Sequence, residues 1–407
     1  MTQPLDHILV LDMSRILAGP WSGQTFADLG AEVIKIERPD TGDDTRGWGP
    51  PFMSDRDGNE TDEATYFLSA NRGKKSVTVD ISRPEGQEII RKLVLKSDVL
   101  LENYKVGSLA KYGLDYGNLS KLNPGLIYCS ITGFGQTGPY SSRAGYDFLI
   151  QAMGGLMSVT GEAETKPGGG PQKIGVALSD ILTGLYTTIG ALSALAYRDK
   201  TGKGQHIDMA LLDVTVAAMA NQAMNYLFTQ KAPGLMGNAH PNIVPYEAYK
   251  TADHYIILAV GNDNQFRRFC GVAGRLDLAE NDAYATNRGR VNNRDVLGPI
   301  LNGIIADKPR AYWLEKLEKV GVPCGPINNL EDVFEDPHIR ARRAHQEVDH
   351  PVGGVIPTVA NPIRLSASPI VYDKPPPTLG QHNEEVLKGL LELDDTELDR
   401  LRRSGVI

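Results

Sequence analysis

Short apolar segments alternate with helix-compatible segments through the first third of this 407-residue chain. The apolar or alternating runs occupy residues 7–12, 31–38, 76–80, 98–103 and 125–135, and amphipathic stretches separate them. Strands that alternate with helices favour a doubly wound parallel sheet with right-handed crossovers. We therefore predict an α/β fold for this part of the chain.

The remainder of the chain changes pattern twice. A predicted apolar helix over residues 208–228 is followed by a polar linker near 229–245, and residues 246–262 have the pattern of a β-hairpin. Predicted helices then continue to about residue 320. A chain of this length exceeds one compact core, so it divides into domains. We predict three segments, at 1–228, 229–322 and 323–407.

Composition and missing motifs narrow the classes of function. No stretch approaches the ~20 uninterrupted apolar residues of a membrane span, and residues 1–15 lack a secretory signal pattern, so we expect a cytoplasmic protein. Three widely spaced cysteines predict buried thiols and no metal site. The net charge of −8 argues against nucleic-acid binding. The motifs of zinc proteases, P-loop NTPases, lipases and NAD-dependent oxidoreductases are all missing.

Asp180 is the residue that chemistry alone singles out. It follows a segment, 173–180, that we predict as a strand, and it precedes a predicted helix over 181–198. Open α/β sheets place ligands at that end of their strands. The carboxylate could cap the helix N-terminus, or it could act as a nucleophile toward a thioester. Position alone leaves both interpretations open.

Ten sequence blocks occur in a fixed order over almost the whole chain: 11–20 (LDMSRILAGP), 30–52, 71–80 (NRGKKSVTVD), 102–114, 131–139 (ITGFGQTGP), 144–147 (AGYD), 179–186 (SDILTGLY), 201–213, 321–330 and 379–387. Together they resemble the blocks of the family III CoA-transferases. The resemblance implies a large Rossmann-like domain made from both chain ends, a smaller central α+β domain and an interlocked homodimer.

The resemblance also implies a mechanism and a set of ligands. The family's catalytic aspartate falls on Asp180, which forms an anhydride with the donor acyl group and then an aspartyl-CoA thioester. Neither a metal nor a permanently bound cofactor is implied, because the coenzyme A thioester is itself a substrate. The residues in the blocks that bind CoA in the family are Arg15, Ile16, Ala18, Arg38, Arg72, Lys74, Lys75, Asn103, Tyr104 and Lys111. Among these, Arg15, Arg38, Asn103 and Tyr104 are the strongest candidates.

The substrate is predicted from branches of the family. Tyr146 occupies the position of the histidine in the racemase branch, and tyrosine is a poor base at neutral pH. The glycine run of formyl-CoA:oxalate transferases is replaced by GNAHPNIVPY at 237–246. This segment and 260–266 instead resemble a branch that uses succinyl-CoA and glutarate.

A dicarboxylate needs a partner for its second carboxylate, and the candidates are Arg72, Arg46, His240 and Asn238. Tyr146, in the block 144–147, is also predicted to bind substrate. A formyl-CoA:oxalate-type transferase, an acyl-CoA racemase and a noncatalytic CoA-binding protein remain as alternatives.

Overall fold

The computed structural model describes residues 2–407. Its strands, in chain order, are β1 (Leu9–Asp12), β2 (Glu32–Glu37), β3 (Phe52–Ser54), β4 (Glu60–Ala64), β5 (Lys74–Thr78), β6 (Val99–Glu102), β7 (Ile127–Thr132), β8 (Gln205–Ala210), β9 (Tyr246–Lys250), β10 (Tyr255–Ala259), β11 (Cys324–Pro326), β12 (His345–His350) and β13 (Gly354–Val359).

The α-helices are α1 (Ala18–Asp28), α2 (Thr65–Ala70), α3 (Pro84–Val94), α4 (Tyr116–Leu122), α5 (Asp147–Met153), α6 (Leu178–Thr201), α7 (Leu211–Ala218), α8 (Ala220–Thr229), α9 (Asp263–Val272), α10 (Leu276–Glu280), α11 (Asn287–Asn292), α12 (Arg294–Ala306), α13 (Arg310–Lys319), α14 (Leu330–Glu335), α15 (Pro337–Ala341), α16 (Asn383–Leu391) and α17 (Asp395–Arg403). Short 3₁₀ turns occupy Asp44–Gly47, Ala110–Tyr112 and Leu156–Val159.

Six parallel strands form the central sheet in the order β5-β2-β1-β6-β7-β8. All four residues of β6 are buried, as expected for a parallel strand that is covered on both faces. The strand order reverses between β1 and β6, and ligands of open α/β sheets bind at such a reversal, beyond the carboxyl ends of the strands. The predicted α/β fold with a parallel sheet is confirmed.

Two hydrophobic clusters cover the two faces of this sheet. One cluster joins strand residues such as Leu100 to α3 and to the C-terminal helices α16 and α17, through Leu387 and Leu398. The other joins Val10 and its neighbours to Phe26 of α1 and to the second half of α6. Helices from both chain ends therefore complete one core.

The edge strand β5 is capped by the last part of the chain. The Ser76 N–H donates to His382 Nδ1 (3.1 Å), and the His382 N–H donates back to the Ser76 carbonyl (2.9 Å). The Thr78 N–H donates to Asn383 Oδ1 (2.8 Å). Backbone groups that a free sheet edge would expose to solvent are thus hydrogen-bonded within the protein.

Two local predictions were wrong. Residues 173–180 do not form a strand: the Ile174 N–H donates to the side chain of Gln151 (2.9 Å), and no neighbouring strand pairs with the segment. Residues 205–210, which overlap the start of the helix predicted over 208–228, form the sixth strand of the sheet. The polar His206 and Asp208 interrupt its apolar pattern, and the strand passes directly into an apolar helix at Leu211.

The chain divides into two compact units. The first comprises the chain up to Leu156 together with Ile174–Met224 and Arg340–Ile407, and it contains the six-stranded sheet. The second comprises Met157–Lys173 and Asn225–Ile339. Its antiparallel sheet has the order β11-β10-β9. The predicted hairpin over 246–262 is confirmed by the pairing of β9 with β10.

Helix α6 is, within residues 2–407, the one helix long and apolar enough to cross a membrane by length and composition. Core helices pass the same test, and Ala191, Ala194 and Leu195 of α6 are buried against the central sheet.

Candidate active site

A cavity of about 270 Å³ lies beyond the carboxyl ends of β1, β6 and β7. Residues 15–18 line it after β1, residues 103–106 after β6, and residues 131–133, 141 and 143–146 at and after the end of β7. Asp180, from the first turn of α6, completes the wall. The cavity therefore occupies the place where strand order reverses, which is where a ligand is expected in this architecture.

Asp180 does not cap its own helix. The N-cap of α6 is Ala177, and the carboxylate of Asp147 from α5 accepts from the N–H groups of Ser179 (2.8 Å) and Asp180 (3.3 Å). Within residues 2–407 no hydrogen bond to the Asp180 carboxylate is found. Of the two interpretations left open by the sequence, the N-cap is excluded, and the carboxylate is free to react.

The surroundings of Asp180 disfavour its charge. Burial, followed by the nearby carboxylate of Asp147, raises the pKa of Asp180 to about 7. Tyr66 is also close, because the charge of Asp180 contributes, after burial, to a raised pKa of that phenol. A carboxylate that is poorly solvated yet ionised near neutral pH has the properties of an activated nucleophile.

Ile16 adopts an unusual backbone conformation at the cavity. Its φ of 73° lies in the left-handed region, which is rare for a β-branched residue and signals local strain. Asp43 holds this turn by accepting from the Ile16 N–H (3.2 Å) while pairing with the buried Lys35 (2.8 Å). Although burial opposes ionisation, Lys35 and the Thr45 donors hold the pKa of Asp43 at about 2. The buried ion pair of Asp43 with Lys35 therefore stabilises the strained turn at Ile16.

Asn103 joins the two loops on either side of the strand-order reversal. Its side chain accepts from the Arg15 N–H (2.9 Å) and donates to the Arg15 carbonyl (2.7 Å). The Arg15 guanidinium pairs with Asp44 (2.7 Å) and lies 5.8 Å from the centre of the Tyr104 ring. Its Nε is buried without a hydrogen-bond partner, so one donor at the cavity is unsatisfied.

Five predicted CoA-binding residues line the cavity together: Arg15, Ile16, Ala18, Asn103 and Tyr104. Arg38 and Lys111 are exposed, and the charge of Arg38 lies close enough to Tyr104 to oppose the rise in its pKa that burial causes. Tyr146, predicted to contact substrate, also lines the cavity and is 64% exposed.

The other predicted cations are engaged inside the protein. Arg46 pairs with Glu37 and Glu63 (both 2.7 Å), and Arg72 forms a bidentate pair with Asp28.

The two lysines of the NRGKKS segment are likewise paired. Lys74 is fully buried against Asp12 (2.8 Å), while Lys75 pairs with Glu32 and Glu385. None of these four cations lines the cavity at Asp180. A cation paired with a buried carboxylate, as Arg46, Arg72 and Lys74 are, gains little from a second anion. The partners of Lys75 are both partly exposed. The binding roles of these four cations stay predictions.

Asn238 and His240 belong to the second unit. His240 accepts from the Asn242 N–H through Nδ1 (3.1 Å) and packs against the Tyr246 ring, with ring centres 5.2 Å apart. Burial lowers the pKa of His240, so the imidazole is neutral at pH 7. Asn238 is exposed. Their roles in substrate binding stay predictions.

Sequence reasoning missed several residues of the cavity. Arg143 and Lys105 line it, Asp147 positions the first turn of α6, and Tyr66 lies near Asp180. Asp147 is the last residue of the GYD motif and Arg143 lies three residues before Tyr146, so the motif and its neighbourhood were the available signal. Among residues 2–407 no cluster of three or more potential metal ligands is found. Of the three thiols predicted to be buried, Cys129 and Cys270 are buried and Cys324 is half-buried.

Comparison with known proteins gives one consistent result. The model of CoA-transferase family III matches residues 5–383. The succinate–glutarate CoA-transferase of Agrobacterium fabrum is 49% identical, over 97% of this chain and 97% of that protein. The human succinyl-CoA:glutarate CoA-transferase is 44% identical, over 100% of this chain and 90% of that protein. A CAIB/BAIF family structure from Brucella suis superposes with a TM-score of 0.83 at 50% identity, covering 96% of this chain and 100% of that one.

Proposed function

Because the chain belongs to CoA-transferase family III, and is therefore a CoA-transferase, we propose that it moves CoA from succinyl-CoA to a short dicarboxylate such as glutarate. The observation that carries the proposal is the partly buried Asp180 carboxylate, which faces the cavity without a hydrogen-bond partner in residues 2–407. The names of the similar proteins support the choice of acids.

Asp180 acts as the nucleophile in the proposed mechanism. Its carboxylate attacks the thioester carbonyl of the donor, the C–S bond breaks, and CoA leaves as a thiolate, so that a mixed anhydride remains. The thiolate then attacks the aspartyl carbonyl, which releases the donor acid and leaves an aspartyl-CoA thioester. The acceptor carboxylate repeats the two steps in reverse and regenerates Asp180. No net proton or electron is exchanged.

The loops at the strand-order reversal bind CoA in this proposal. Arg15, Asn103 and Tyr104 contact the CoA chain from one side of the cavity, and the strained turn at Ile16 and Ala18 presents backbone groups from the other. The exposed Arg38 and Lys111 are placed to meet phosphate groups, since they have no acidic partner among residues 2–407. The resemblance to the family supports a Rossmann-like first unit and an interlocked homodimer, and the lack of a secretory signal pattern in residues 1–15 supports a cytoplasmic location.

The proposal is tested by an exchange assay with succinyl-CoA and a panel that includes glutarate, oxalate, formate and acetate. We expect the fastest transfer to glutarate or a diacid of similar length, and loss of at least about a thousandfold in Asp180→Asn. Mass spectrometry after addition of succinyl-CoA alone should find a covalent CoA adduct on Asp180. Preference for oxalate, or racemisation of a branched acyl-CoA without any transfer, would reject the proposed substrate.

A further inference from the structure

The buried cations leave a gap in this proposal, because none of them is available to hold the second carboxylate of a diacid. Arg46 and Arg72, two of the predicted partners, are both engaged by carboxylates inside the first unit. A diacid bound at Asp180 nevertheless needs a partner for its distal group, since a desolvated carboxylate without one is costly. The cavity itself must be searched for that cation.

Three cationic side chains line the cavity: Arg15, Lys105 and Arg143. Arg15 is paired with Asp44 at 2.7 Å. Lys105 lies on the loop after β6, beside the residues proposed to bind CoA, and carries a flexible ammonium group. Arg143 has no carboxylate partner among residues 2–407. Its guanidinium makes a weak polar contact, from Nη2 to the sulfur of Met153 (4.0 Å).

Two aromatic rings orient the Arg143 guanidinium. The guanidinium carbon lies 4.7 Å from the centre of the Tyr140 ring and 5.2 Å from the centre of the Phe134 ring. These two rings contact each other edge to face, with centres 5.6 Å apart. A guanidinium held against aromatic faces keeps its outer N–H donors available, and its planar fork matches a carboxylate.

We infer that Arg143 is the specificity-determining residue that binds the distal carboxylate of the diacid, while the other carboxylate reacts at Asp180. This inference rests on the proposed function and names the residue that selects dicarboxylates over monocarboxylates. Arg143 and Asp180 line the same cavity of about 270 Å³, so both side chains face the space in which a short diacid would bind. The residue acts on binding, and it takes no part in the acyl transfer itself.

The test compares glutarate with pentanoate, an acceptor of the same chain length without the second carboxylate. Arg143→Gln should raise KM for glutarate by about 10- to 100-fold, the range expected for loss of a charge-assisted hydrogen-bonded pair. The KM for pentanoate should change by less than about threefold. The preference for glutarate over pentanoate, measured as the ratio of their kcat/KM values, should therefore fall. Arg143→Lys keeps the charge without the fork and should recover part of the selectivity.

Arg403→Gln is the matched control, because Arg403 is an exposed arginine on the C-terminal helix α17. Equal losses for glutarate and pentanoate in Arg143→Gln, or a rise in KM for every acyl-CoA donor, would overturn the inference and place Arg143 in CoA binding. A wild-type protein that transfers CoA to no diacid would instead reject the proposed substrate. The two failures are distinguished by the wild-type measurement alone.

Discussion

Asp180 combines two properties that oppose each other. Burial keeps water from its carboxylate and raises the pKa to about 7, while the reaction needs the ionised form. We expect kcat/KM to fall about tenfold per pH unit below pH 6 and to level off above pH 8. A pH profile of initial rates between pH 5.5 and 8.5 checks this. A flat profile over that range would show that another step limits the rate or that the carboxylate is better solvated.

The same raised pKa has a cost in stability. Between its ordinary pKa of 3.8 and about 7, the folded protein holds a proton on Asp180 that the unfolded chain has lost, so ionisation lowers stability as pH rises through this range. At pH 8, Asp180→Asn should therefore have a free energy of unfolding about 1–2 kcal/mol above that of the wild type, after allowance for solvent, and should melt at a higher temperature. At pH 4 the two proteins should melt alike.

The short helix α5 controls the start of α6 through one side chain. Asp147 accepts from the N–H groups of Ser179 and Asp180, and its charge is the second cause, after burial, of the raised pKa of Asp180. Asp147→Asn keeps a capping oxygen but removes the charge, so the acid limb of the pH–rate profile should move to lower pH. Asp147→Ala removes the cap as well and should cost about 1–2 kcal/mol of stability.

Thermal melts and pH profiles of both variants separate the two effects. If Asp147→Asn leaves the acid limb where it is, burial alone sets the pKa of Asp180.

The elements show what the sequence could and could not predict. Strands with continuous apolar runs, such as β6, and the β9–β10 hairpin were found because local pattern and final environment agree. The strand predicted before Asp180 was wrong because a side chain, Gln151, binds its backbone in place of a neighbouring strand. Strand β8 was missed because its pairing with β7 is a long-range contact that its mixed polar pattern does not reveal.

The residues of the site also divide into those that the sequence could predict and those that it could not. Loop residues after β1 and β6 could be assigned because a parallel sheet fixes where its loops meet. The ion pairs of the cations in the NRGKKS segment could not be predicted, since their acidic partners, Asp12, Asp28 and Glu32, lie far away in the sequence. Arg143 is functional in our proposal for the opposite reason, because no carboxylate forms an ion pair with it within residues 2–407.

At the scale of the whole molecule, the two chain ends share one core. Leu398 of α17 is fully buried in the same cluster as Leu100 of β6. Leu398→Ala should therefore destabilise the whole first unit by about 2–5 kcal/mol, as a cavity in its centre would. Chemical unfolding should show CoA binding and helical signal lost together at lower denaturant. Leu95→Ala, at a leucine that is 55% exposed, should change stability by less than about 0.5 kcal/mol.

A different result would contradict the shared core. In it, α17 of Leu398→Ala frays locally while CoA binding is lost at the same denaturant concentration as in the wild type.

The capping of β5 by His382 and Asn383 has a consequence for synthesis on the ribosome. Strand β5 is made early, but the residues that satisfy its outer amides emerge about 300 positions later. Until then the nascent sheet carries an open edge that can pair with a strand of another chain, and such pairing leads to aggregation. His382 and Asn383 thus close the edge of β5 only when synthesis is almost complete, and in the finished protein they keep that edge from pairing with another copy.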